Sequence, residues 1–259
     1  MWNDIETIRK QAPLVHNITN FVVMNSTANA LLALGASPVM AHAPEEVEAM
    51  VGLAGALVIN IGTLSLPWIE AMVLATRAAR KRSLPIVLDP VGVGATPMRT
   101  EQARRLLREG PPTIVRGNAS EILALVGAAG KTKGVDSTAA VETSVEAARE
   151  LARQYGCVVS ISGATDVIVS IDRLARVHNG HPIMTKVTGM GCAASALTGA
   201  FAAINPSPFA AAVNAMVVSG VVGELAAEKS AGPGSFQVNY LDAMHELDRA
   251  TLEKRARVD

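Results

Sequence analysis

The chain has 259 residues, 49% of them hydrophobic and 18% charged, with 23 Lys plus Arg against 23 Asp plus Glu. That apolar content supports a substantial core and excludes a disordered chain, while zero net charge without a basic face argues against a nucleic-acid partner. Its two cysteines, Cys157 and Cys192, stand in no Cys-x-x-Cys or Cys/His spacing, which excludes a disulfide scaffold and a structural zinc site.

The N-terminal MWNDIETIRKQAP carries Asp4 and Glu6 and has no apolar h-region, so it does not read as a secretory signal, and a cytoplasmic location is expected. Helical patterns and strand-like runs then alternate. Helices are predicted over 19–35, 44–53, 66–82, 99–108, 119–127 and 138–155, and strands at SPVMA (37–41), ALVINIG (56–62), PIVLDPVG (85–92), TIVRGN (113–118) and CVVSISG (157–163). Continuous apolar runs suit strands covered on both faces, so the fold expected is α/β, a doubly wound, mostly parallel sheet flanked by helices. Cys157, opening the last run, reads as a small core residue. GAAGKTKG at 127–134 imitates the end of a P-loop, but Leu125 stands where its first glycine belongs, and a surface loop is expected.

After residue 163 the rhythm changes. VIVSIDRLARVHNGHPIMTKV leaves no room for a helix and holds two or three strand-like segments, expected as antiparallel additions at one sheet edge. Asn179-Gly180 predicts a hairpin tip that leaves His178 and His181 in solvent, not paired on a metal. Helices over 191–204, 207–228 and 235–256 complete the chain. The apolar stretches 190–204 and 209–223 fall short of the roughly 20 residues a membrane span requires and read as buried helices. Without an internal repeat or a linker, residues 1–259 are expected to form one domain.

Ligands of such sheets collect beyond the carboxyl ends of the strands. That rule singles out Met40, Asn60, Gly62, Asp89, Arg116, Asn118, Ser162, Gly163 and the TGMG turn at 188–191. Gly189-Met190-Gly191-Cys192-Ala193-Ala194 fits G-x-G-x-x-G/A and is expected to follow a strand, but the region about 20 residues on, NPSPFAAAVN, lacks the acid a dinucleotide ribose requires. Two accounts of the turn remain. Backbone amides of Thr188, Gly189 and Gly191 at a helix start could hold an anion, or the glycines could serve close packing alone. Asp89 at a strand end favours the anion site, because a carboxylate beside phosphates could help hold hydrated Mg²⁺. Asn118 and Glu121 have capping-box spacing, and Arg116 just before them could reach phosphates.

Together VHNITNFVVMNSTANALLALGASPVM, VLDPVGVGAT, RGNASE, TKVTGMGCAASALTGA and GPGSFQ resemble the hydroxyethylthiazole kinase family, the thiamine-salvage branch of the ribokinase-like superfamily, over roughly residues 13–240. The resemblance implies a ribokinase-like fold and ATP-dependent phosphorylation of the hydroxyl of 4-methyl-5-(2-hydroxyethyl)thiazole with Mg²⁺. It also implies a homotrimer with sites between subunits. By the same matching, Met40, Asn25 and Gly189 would contact the thiazole and Arg116 and Ser162 the ATP. Asp89 and Glu121 would associate with the metal, and Cys192 would face the accepting hydroxyl where most ribokinase-like enzymes have aspartate. One departure is Ser162-Gly163-Ala164-Thr165-Asp166, which keeps the hydroxyl but lacks the acidic residue the family usually has after its Thr-Gly pair. A pyrimidine kinase of the same pathway, a dehydratase that repairs hydrated nicotinamide cofactors and a non-catalytic nucleotide sensor are the alternatives. HNITN and GPGSFQ favour the thiazole enzyme over the first, and Cys192 argues against the second.

Overall fold

The computed structural model describes residues 1–127 and 137–259, so the loop expected at 127–134 lies outside the described residues apart from Gly127. Short apolar runs become strands β1 (Leu14–Ile18), β2 (Ser37–Val39), β3 (Ala56–Asn60), β4 (Ile86–Asp89), β5 (Ile114–Asn118) and β6 (Val158–Ser162), all parallel. β7 (Asp166–Val169) and β8 (Leu174–Val177) add antiparallel at one edge, giving the order β2-β1-β3-β4-β5-β6-β7-β8.

The helices are α1 (Trp2–Gln11), α2 (Met24–Leu34), α3 (Val47–Leu53), α4 (Leu66–Lys81), α5 (Pro97–Glu109), α6 (Ala119–Leu125), α7 (Ser137–Tyr155), α8 (Met190–Ile204), α9 (Pro208–Glu228), α10 (Pro233–Glu246) and α11 (Arg249–Arg255). Strand side chains alternate between two cores. Val15, Val58, Val87, Ile114 and Val158 pack with Leu197, Val218 and Phe236 on α8, α9 and α10. Leu57, Ile59, Leu88, Val115 and Val159 pack with Met72, Leu107 and Leu151 on α4, α5 and α7. α9 is 21 residues long and apolar enough to cross a membrane, yet 83% of its apolar window is buried inside the fold, as a core helix requires.

Four expectations change. LVHNI is a central strand, and the helix predicted from residue 19 starts at Met24. The last helix divides because Asp248 caps a new one, its Oδ1 accepting from Thr251 N at 2.7 Å. Asn179-Gly180 is not a hairpin tip. The β7–β8 hairpin turns at residues 170–173, closed by Ser170 N donating to Arg173 O at 2.9 Å, and Asn179 is buried against Glu224 and the Arg255 carbonyl. His178 and His181 are nevertheless exposed. Finally, the TGMG turn follows a 3₁₀ turn at Pro182–Lys186 and not a strand, since Pro182 supplies no N–H for a ladder.

Candidate active site

Register builds the floor of the site. Asn60 pairs with Asp89, the pairing of Leu88 with Val115 sets Asp89 beside Arg116, and Arg116 pairs with Ser160. These four side chains share the face covered by α8. Asp89 is 3% exposed, and its Oδ2 accepts from Asn60 Nδ2 at 2.8 Å and Ser195 Oγ at 2.7 Å. Burial pushes its carboxyl up to about 6, against the opposing pull of Arg116. Arg116 donates through Nη1 to Gly191 O at 3.0 Å, and its Nε is buried with no partner among the described residues.

α8 sets the roof. Its N-cap is Gly189 at φ 85°, a left-handed conformation suited to glycine, and a Cβ there would lie 2.7 Å from Val23 Cγ1. Cys192 is the third residue of the helix, among first-turn amides that have no carbonyl one turn before them to receive their N–H. Its Sγ accepts from Asn20 Nδ2 at 3.5 Å. Burial pushes the thiol up to about 11, the Asp89 charge adds to the rise, and Asn60, Asn20 and Arg116 act against it. These effects together favour the protonated thiol over the thiolate.

Asp89, Arg116, Gly191 and Cys192 come together as neighbours. Thr188, Gly189 and Asn25 line one small cavity with Gln237 and Tyr240, which places GPGSFQ beside the turn. Met40 does not line it; it follows the edge strand β2. Ser162 ends β6 opposite Asn118, and nearby Gly163 N donates to Asp166 Oδ1 at 3.0 Å. The Asn118–Glu121 capping box forms: Glu121 Oε2 accepts from Asn118 N, and Oε1 from Gly92 N, both at 2.8 Å. For a magnesium ion the donor set is modest. Asp89 Oδ1 accepts no hydrogen bond among the described residues, whereas both Glu121 oxygens already do. One or two carboxylates completed by water and phosphate oxygens fit a hydrated ion and not a dedicated protein cage.

Three participants escaped the sequence reading. Asn20 and Ser195 complete the network around Cys192 and Asp89, and Arg99 donates to Ile61 O, Val91 O and Gly62 O at 2.7 to 2.8 Å, tying together the loops after β3 and β4. Asn20 ends the HNITN motif and Ser195 lies one helical turn beyond Gly191, so both stood inside motifs already noted, whereas Arg99 had no signal.

The hydroxyethylthiazole kinase family model matches residues 5–250. A hydroxyethylthiazole kinase of Nitratidesulfovibrio vulgaris (strain DP4) is 54% identical over 258 residues, covering 100% of this chain and 97% of its own. The solved structure of a hydroxyethylthiazole kinase protein from Pyrococcus horikoshii OT3 superposes with a TM-score of 0.92 at 44% identity, covering 99% of this chain and 97% of that one. A pyridoxal kinase from Staphylococcus aureus in complex with pyridoxal, 17% identical with a TM-score of 0.59 over 82% of this chain and 88% of that one, shares the ribokinase-like fold alone. By the extent of the family match, and by full-length identity well above what fold resemblance produces, the chain belongs to the hydroxyethylthiazole kinase family.

Proposed function

We propose that the protein transfers the terminal phosphoryl group of ATP to the hydroxyl of 4-methyl-5-(2-hydroxyethyl)thiazole, and that Cys192 faces that hydroxyl. The observation that carries this reading is the meeting of Cys192, at the start of α8, with Asp89 and Arg116 at the carboxyl end of the sheet in a member of this kinase family. Phosphoryl transfer through a loose transition state asks chiefly for positioning and charge stabilisation. A neutral thiol meets the first demand by orienting the attacking oxygen without removing its proton early. The amides of Thr188, Gly189 and Gly191 supply the second as donors to the transferring group.

Arg116 and Ser162 are assigned to ATP in this reading: Arg116 Nε is a buried donor lacking a partner among the described residues, and Ser162 ends the neighbouring strand opposite Asn118, two residues beyond Arg116. Asp89 would hold Mg²⁺ with Glu121 through water, and the ion, when bound, neutralises phosphate charge. Met40 does not line the cavity of Asn25 and Gly189; a homotrimer whose thiazole sites lie between neighbouring subunits would bring the two together. We place the enzyme in the cytoplasm, in thiamine salvage.

The test is product analysis by mass spectrometry with ATP, Mg²⁺ and a panel of the thiazole alcohol and its pyrimidine counterpart. Thiazole phosphate is the expected product, and its absence overturns the reading. Cys192→Ala should lower turnover by roughly 10- to 100-fold with little change in either KM, while Cys192→Asp keeps substantial activity. Unchanged turnover in the alanine variant rules out the role of Cys192.

A further inference from the structure

Asn20 lies between β1 and α2 and is only 4% exposed. Its carboxamide is fully engaged. Oδ1 accepts from Val22 N at 3.1 Å, while Nδ2 donates to Asn60 Oδ1 at 2.8 Å and to Cys192 Sγ at 3.5 Å. Asn60 is fixed in turn, because its Oδ1 also accepts from Gly62 N at 2.9 Å and its Nδ2 donates to Asp89 Oδ2 at 2.8 Å. Turning either amide over would set N–H against N–H, so the hydrogen bonds themselves decide that Asn20 presents a donor to the sulfur.

Space is arranged to the same end. A Cβ at Gly62 would lie 2.6 Å from Asn20 Nδ2 and 2.8 Å from its Cγ. Gly62 has an ordinary negative φ, so backbone conformation does not demand glycine there. Its absent side chain instead makes room for the carboxamide that reaches Cys192.

We propose that Asn20 is a positioning residue for phosphoryl transfer: its amide, locked by Asn60 and seated over Gly62, holds the Cys192 sulfur in one orientation and leaves the S–H directed away from Asn20. The proposal rests on the reading that Cys192 faces the acceptor hydroxyl. A donor on the sulfur fills one of its acceptor directions, so the thiol proton has to find another partner. It gives the sequence HNITN a mechanical purpose, with strand β1 delivering the residue that aims the thiol.

The competing account is that Asn20 merely braces the loop before α2. A double-mutant cycle separates the two. Turnover and both KM values are measured for the wild type, Asn20→Ala, Cys192→Ala and the double variant, with circular dichroism as the check on folding. Asn20→Ala should lower kcat about tenfold, the worth of one hydrogen bond, and leave the KM for ATP unchanged within about twofold. In the Cys192→Ala background the same change should cost less than about twofold, because the residue it acts through is gone. Gly62→Ala keeps every polar group yet displaces the amide, and should reproduce both results, so it carries the test if Asn20→Ala does not fold. Losses that multiply in the double variants overturn the proposal while leaving the role of Cys192 standing. Full turnover by Cys192→Ala alone overturns that role and the proposal together.

Discussion

Asp89 shows how a single buried carboxylate links stability to chemistry. Its folded value near 6 lies above the unfolded value of 3.8, so the folded protein holds the proton more tightly. That contribution is complete below about pH 4 and is lost as the pH rises through 6, leaving the ionised group a net cost at neutral pH. The shift corresponds to at most about 3 kcal/mol. Asp89→Asn is therefore expected to stabilise the metal-free protein at pH 7.5, with the gain vanishing below pH 4, in paired urea titrations. The same variant should lose turnover by roughly 100-fold. A residue kept at the expense of stability is characteristic of a site under functional demand.

Among the elements, α8 governs the site because it rests directly on the sheet. Gly199 lies over β1 and β3, where a Cβ would stand 2.5 Å from Val58 Cγ2 and 3.1 Å from Val15 Cγ1. Alanine would gain about 1 kcal/mol in helix propensity but would overpack stiff β-branched neighbours at a cost of about 1–3 kcal/mol. Gly199→Ala should thus be destabilised by up to about 2 kcal/mol in chemical denaturation, with reduced turnover as Cys192 moves with the helix. How much of these elements was legible follows from their burial patterns. Strand-like runs revealed β2 to β6, but LVHNI carries His16 and Asn17 in its middle, and no strand was predicted there. Both are fully buried, His16 Nε2 bonding Ala41 O at 2.8 Å and Asn17 Nδ2 donating to Val15 O at 2.9 Å. Strand ends were likewise legible as places where ligands collect, and they yielded Asp89 and Arg116. The links through Asn20 and Asn60 were not, because they depend on strand order and register, which a local pattern does not encode.

At the scale of the molecule, several large apolar side chains remain in solvent on the single chain, with Phe21 65% and Leu66 78% exposed and Phe21 stacked on Trp68. Such a surface accords with burial against another copy. Sedimentation analysis is expected to give three times the 26.9 kDa mass of the chain. Phe21→Asp should shift that value toward the single chain and, on the proposal that the thiazole site lies between subunits, lower turnover. The line of Asn60, Asp89, Arg116 and Ser160 has a different consequence, for what changes of length the chain can absorb. Their spacing is the inter-strand repeat of about 4.8 Å, a ruler that no loop can alter. Lengthening a surface connection leaves that ruler intact. Inserting one residue early in β4 instead turns Asp89 to the face of α4 and α5 and removes it from the site, although the fold has gained only a single amino acid.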